Sequence, residues 1–196
     1  MLYLPYNEIW EVNMIRTVVF AAVLVALTPA ATAQVTVLGG GLAKDCYEAA
    51  KYSLLSGPAA EELCSRALAH EALNLSNRAA TFTNRGVLRM RQGKLDSALS
   101  DYASSKRISP DSGPTWLNEG AAYILQQDYN SALVSLDRAI ELESSDLYAA
   151  YYNRALARER TGDVEGAYYD FVKSKELNPE YTPTDDQLAR FTVETN

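Results

Sequence analysis

An all-α solenoid of antiparallel helix pairs is the fold class this sequence predicts, and three observations carry the prediction. First, residues 84–102, NRGVLRMRQGKLDSALSDY, are nearly rewritten 69 residues later as residues 153–171, NRALARERTGDVEGAYYDF. Second, rows started at Ala79, Gly113 and Tyr148, 34 and 35 residues apart, align residue by residue. Their eighth place holds Gly86, Gly120 and Ala155, and their twentieth Ala98, Ala132 and Ala167. Third, apolar residues inside each half-row recur at three- and four-residue steps, which is helical spacing.

The elements follow in order. From Met14 the chain reads MIRTVVFAAVLVALTPAATAQ. Arg16 gives a positive start, Val18 to Leu27 is apolar, Pro29 breaks the run, and Ala31-Thr32-Ala33 is a small-x-small cleavage pattern. Residues 1–33 are therefore expected to be a secretory signal peptide cut between Ala33 and Gln34. Glu8 and Glu11 suit such a leader poorly, so Met14 is a competing start for translation. The apolar run is shorter than the roughly 18 residues that span a bilayer, so membrane association is expected only if the leader stays uncut. A leader of this style implies export, and the expected location is the periplasm. Residues 34–41, with three consecutive glycines, read as a flexible lead.

Residues 42–78 read as a degenerate helical hairpin split at Ser56-Gly57-Pro58. Cys46 and Cys64 lie in its two helices. An exported chain with two cysteines is expected to join them, two buried free thiols being the alternative. Three full repeats then occupy 79–112, 113–146 and 148–181. In each, small residues at places eight and twenty let two helices cross closely. Phe82, Trp116 and Tyr151 at place four, and Tyr102, Leu136 and Phe171 at place twenty-four, fill the space beside the crossing. Gly93 and Gly162 suit helix C-termini, and Pro110 and Pro179 end the second helices. The middle row departs from this at Gln127 and Ser144, both in turns. Residues 182–196 are expected to form a capping helix and tail, with Thr184 or Asp185 as its cap and Leu188 and Phe191 over the last apolar face.

This recurrence of small and large places over residues 79–181 closely resembles the tetratricopeptide repeat. The resemblance implies a right-handed superhelical solenoid whose first helices line a concave groove. In such repeats the second, fifth, sixth, ninth, twelfth and thirteenth places face the groove. Here the sixth is asparagine three times, Asn84, Asn118 and Asn153. An asparagine amide both donates and accepts, so one per repeat suits the backbone of an extended peptide. The alternative is that these asparagines only hydrate the helix face. Arg91 and Arg160, at place thirteen, are expected to meet a partner carboxylate, and Thr83, Leu117 and Tyr152, at place five, to grade side-chain preference. Arg89 and Arg158 replace the tyrosine usual at place eleven, which is expected to loosen packing or re-aim the groove.

A second regularity pairs Arg85 with Asp101 and Arg154 with Asp170, each sixteen apart, whereas the middle row has Glu119 and Ser135 at both places. An ion pair across each outer hairpin is expected.

The chemistry classes narrow quickly. The chain has 18 Lys and Arg against 25 Asp and Glu, a formal net charge of −7, which disfavours nucleic acid and anionic membranes. His70 is the single histidine, so no base–nucleophile set or zinc site is expected. The glycines at 39–41 lack the Lys-Ser/Thr of a phosphate loop. No catalytic activity, metal or small-molecule cofactor is expected. The leading expectation is an exported adaptor that binds a protein or peptide segment in its groove. The alternative is a structural scaffold of a cell-envelope assembly, joined through its convex face or by self-association.

Overall fold

The computed structural model describes residues 31–33, 35–37, 41–52 and 57–191. Residues 1–30 of the expected leader, Gln34 and 38–40 of the lead, 53–56 of the first hairpin, Ser56 included, and the tail beyond Phe191 lie outside the described residues. Helices α1 (Leu42–Tyr52) and α2 (Gly57–His70) form the first pair. Three further pairs follow: α3 (Leu75–Arg91) with α4 (Leu95–Ile108), α5 (Gly113–Leu125) with α6 (Tyr129–Glu141), and α7 (Leu147–Thr161) with α8 (Val164–Leu177). The short α9 (Pro183–Leu188) closes the order. Each pair packs as a hairpin, and each second helix packs on the first helix of the next pair. The first helices also touch one another in succession, α1 on α3, α3 on α5 and α5 on α7, so they share one face of the stack. Among the described residues no helix is long and apolar enough to cross a membrane.

The repeated small places have the physical cause their spacing suggests. A Cβ at Gly86 would overlap the Tyr102 ring, and one at Gly120 would come 2.5 Å from Leu136 Cγ. Place eight is thus small because the large residue at place twenty-four fills the crossing. Tyr102, Leu136 and Phe171 are all fully buried there. Ala155 of the third row joins Phe171 and Tyr152 in one apolar cluster.

The helix ends follow local rules with instructive departures. Helix α3 begins at Leu75, a turn before the row start at Ala79, because the Asn74 side chain accepts from the Asn77 N–H at 2.8 Å. Asp128 and Asp163 cap α6 and α8 in the same way. Gly93, Gln127 and Gly162 hold the same place in the three turns, and all three take positive φ, 74°, 64° and 92°. Gln127 is therefore a side-chain-bearing residue in a conformation that favours glycine. Helix α9 starts at Pro183 after Thr182, which makes no side-chain cap bond. Thr184, expected as a cap, is buried and its hydroxyl bonds that of Ser174 at 3.3 Å. Ser105 and Thr115 make the same contact at the same distance between α4 and α5. The stretch Pro183-Thr184 therefore repeats Pro114-Thr115, and α9 packs as the opening turn of another first helix. Leu188 and Phe191 pack on the cluster of Tyr152, Ala155, Ala167 and Phe171.

Carboxylates tie the hairpins together. Arg85 grips Asp101 through Nε and Nη2 at 2.9 and 2.7 Å, and Arg154 grips Asp170 at 2.8 and 2.7 Å. Arg89 and Arg158 add a further donor to the same aspartates, each at 2.9 Å. The expectation that these two arginines loosen packing or re-aim the groove is corrected: they complete a two-arginine clamp on one buried carboxylate. In the middle repeat Glu119 instead accepts from the Ser135 hydroxyl and from Lys106. Cys46 and Cys64 are joined by a disulfide that ties α1 to α2.

Candidate functional site

The shared face of α3, α5 and α7 carries Asn84, Asn118 and Asn153, one per first helix and all fully buried. What buries them is the chain's own N-terminal part. Asn153 Oδ1 accepts from the Ala31 N–H at 3.1 Å, and its Nδ2 donates to the Ala31 carbonyl at 2.9 Å. Asn118 treats Ala33 in the same way, at 2.9 and 2.5 Å. Asn84 does so with Val35, at 3.0 and 2.8 Å. Three side-chain amides thus make six hydrogen bonds to three alternate residues.

This pattern has a simple geometric origin. In an extended chain the N–H and C=O of one residue point the same way, and the next residue points its pair oppositely. A side-chain amide offers one donor and one acceptor at matching separation, so it closes both bonds of one residue at once. Every second residue then meets the next asparagine, which requires the inner arc of the stack to bring neighbouring asparagines to about 6.6 Å, two residues of extended chain. Residue order fixes direction: Ala31 lies at α7 and Val35 at α3, so the segment runs against the order of the repeats.

The side chains of the paired residues differ in their surroundings. Ala33 is 1% exposed and belongs to the cluster that includes Leu117, Ala149 and Ala150. Ala31 packs at the edges of the two central and C-terminal clusters. Val37 is buried with Ala43, Ala67 and Ala80. Val35 by contrast borders an open cavity of about 390 Å³ between the start of α3 and the α4–α5 turn, lined also by Ser76, Ala79, Pro110 and Ser112. The groove is therefore tight at Ala33 and roomy at Val35.

The other residues expected in the groove are placed differently. Thr83 is buried between repeats, where its hydroxyl bonds those of Ser105 and Thr115 at 2.9 Å. Tyr152 is fully buried with its ring against Phe171 and Tyr181, and Leu117 sits in the core between α5, α6 and α7. Place five points along the stack: Thr83 packs between repeats, whereas Leu117 and Tyr152 also belong to the clusters that meet Ala33 and Ala31. Arg91 donates through Nη1 to the Ala50 carbonyl of α1, which removes it as a ready carboxylate receptor. Arg160 is exposed near the end of α7. His70 is exposed at the end of α2. Among the described residues no group of His, Cys, Asp and Glu has the arrangement of a metal site.

The expectation of a flexible lead at 34–41 is corrected for residues 35–37, which pair with Asn84 and bury Val37. Residues 31–33, set aside with the leader, likewise contact the folded body. The sequence carried a signal for this. Ala31, Ala33, Val35 and Val37 alternate with Thr32, Gln34 and Thr36, the period of a strand.

Comparison with known proteins agrees with this architecture. Residues 113–146 match the family described as Tetratricopeptide repeat. Superkiller protein 3 of Schizosaccharomyces pombe is 31% identical over 145 residues, covering 69% of this chain but only 10% of that protein. The structure of MamA residues 41 to the end from Desulfovibrio magneticus RS-1 superposes with a TM-score of 0.61 at 19% identity, over 76% of this chain and 82% of that one. The first tetratricopeptide domain of Spaghetti (RPAP3), bound to the HSP90 peptide SRMEEVD, gives a TM-score of 0.54 at 24% identity, over 57% of this chain and 88% of that one. From its repeated rows, its stacked hairpins and these likenesses, the chain is an all-helical solenoid of the tetratricopeptide-repeat type.

Proposed function

We propose that this protein is a non-catalytic adaptor that holds an extended segment of another protein across Asn84, Asn118 and Asn153. One observation carries the reading: three amides in register pair with both backbone groups of alternate residues. Such pairing holds a peptide by its main chain and leaves the side chains to select among sequences. The RPAP3 domains of similar fold, solved with HSP90 and HSP70 peptides, are consistent with it. A net ~0.5–1.5 kcal/mol per hydrogen bond, set against ordering costs, points to micromolar affinity, about −8 kcal/mol. The leader-like sequence of residues 14–33 supports a location outside the cytoplasm, in the periplasm, as part of this reading.

A scaffold role has its own observation. Val134 and Tyr169 are exposed at the same repeat place on α6 and α8, second helices away from the groove. Crosslinking pull-down from the native envelope separates the two readings. Asn84→Ala, Asn118→Ala and Asn153→Ala together are expected to abolish capture of the partner. Capture that survives this triple change but is lost in Val134→Asp with Tyr169→Asp would replace the groove reading with the scaffold.

A further inference from the structure

We propose that the groove is self-occupied: the stretch bearing Ala31, Ala33, Val35 and Val37 competes with external segments, and a segment displaces it by presenting the same alternation. The partner class is thus an extended chain with a small residue at the Ala33 place and freedom at the Val35 place. This rests on the adaptor reading above and adds to it both a specificity and a control.

The internal stretch uses the whole ladder. All three asparagines are engaged on both sides of their amides, so no rung is left for a second backbone. Its buried side chains add apolar contact at two places, with Ala33 in the central cluster and Val37 beside α1, α2 and α3. Because it is tethered a few residues before α1, it acts at an effective concentration in the millimolar range, well above a micromolar dissociation constant. An external segment must overcome that advantage.

Selectivity follows from the surroundings of each place. A bulky residue at the Ala33 place would have to open the packed cluster around Leu117, Ala149 and Ala150. At the Val35 place the adjoining cavity of about 390 Å³ accepts a larger side chain without displacing protein atoms. The cleavage that the sequence predicts after Ala33 would also act on this site. A cut there removes the residues paired with Asn153 and Asn118 and leaves Val35 on Asn84. The unprocessed chain then carries a closed groove, and the processed chain an open one with a single rung filled.

The test uses the full-length, disulfide-bonded chain and a fluorescent synthetic peptide with the sequence of residues 29–37, PAATAQVTV. Fluorescence anisotropy measures binding of the peptide, and amide exchange measures protection of Ala31, Ala33 and Val35. Ala33→Pro removes the N–H that meets Asn118 and is expected to expel the internal stretch. Ala33→Asp, which would bury a charge, should act in the same direction by a different route. Both variants are expected to bind the peptide on the order of tenfold or more tightly than the unaltered chain. Val35 should exchange faster in both than in the unaltered chain, where it is protected. A peptide with Phe at the Ala33 place should lose binding, and one with Phe at the Val35 place should keep it within a few-fold. Equal binding by the unaltered chain and both variants, still abolished by the triple asparagine change, would overturn self-occupation and leave the adaptor reading standing. Unprotected amides in the unaltered chain would overturn it too. Peptide binding by neither variant would show that this sequence is no ligand and would also overturn it, whereas the adaptor reading stands or falls on the envelope pull-down.

Discussion

Asp101 accepts from two arginines at once, and its side chain is 3% exposed. A buried carboxylate with a bidentate partner and a second donor is compensated for lost hydration only while all partners remain. Asp101→Ala is expected to lower unfolding free energy by about 3 kcal/mol, because two half-buried guanidinium groups lose their partner. Adding Arg85→Leu and Arg89→Leu should recover part of that loss, read by urea denaturation. Equal losses in the single and triple variants would contradict the clamp. The sixteen-residue co-occurrence of Arg85 with Asp101 was visible in the sequence. The share of Arg89 was not, since nothing in the row says that place eleven leans back onto the same carboxylate. Gln127 shows the opposite case. Its place in the turn was legible, and its positive φ of 64° is the strain implied when a side chain stands where two sister rows have glycine. Gln127→Gly is expected to stabilise by about 1 kcal/mol, seen as a raised Tm.

The hairpins are the elements of this molecule, and each buries its apolar face only against neighbours. The first pair is the weakest by this logic, since α1 and α2 have a repeat on one side alone. Their shared core is made largely of small residues, Ala49, Ala50 and Ala60 around the two cysteines. The Cys46–Cys64 bridge spans 18 residues of sequence and supplies what the small core does not. Reduction is expected to cost roughly 3 kcal/mol, concentrated in α1 and α2, with α7 and α8 little changed. Amide exchange with and without a reductant checks this. At the other end the stack closes without a covalent link. There α9 repeats the first turn of α5, down to the threonine that meets a serine of the preceding helix. Pro183 and the apolar Leu188 and Phe191 announced this helix in the sequence, but its likeness to a repeat start emerged only from the matched hydroxyl contacts.

At the scale of the whole molecule, stacking four helix pairs makes an inner face on which corresponding residues of successive first helices come together. Asparagines 34 and 35 residues apart in the chain become successive rungs of one ladder. That conversion explains why the asparagine recurrence was legible in the sequence while the direction in which the other places point was not. Place six turned to the inner face, whereas place five turned along the axis, with Thr83 buried between repeats and Leu117 and Tyr152 in the clusters that meet Ala33 and Ala31. The two directions are separated by a single residue, about 100° on a helix, and only the angle at which hairpins stack decides which one the groove receives.

The sequence by itself determined the helices, their pairing and their count within the repeats, because small and large residues at fixed places permit one close crossing per row. It also determined that asparagine would recur once per repeat. The tertiary structure alone decided what the ladder holds. Residues 31–37 are too short and too polar in alternation to declare a partner. Their strand-like period acquires meaning only opposite three amides that the fold brings into register from three separate helices.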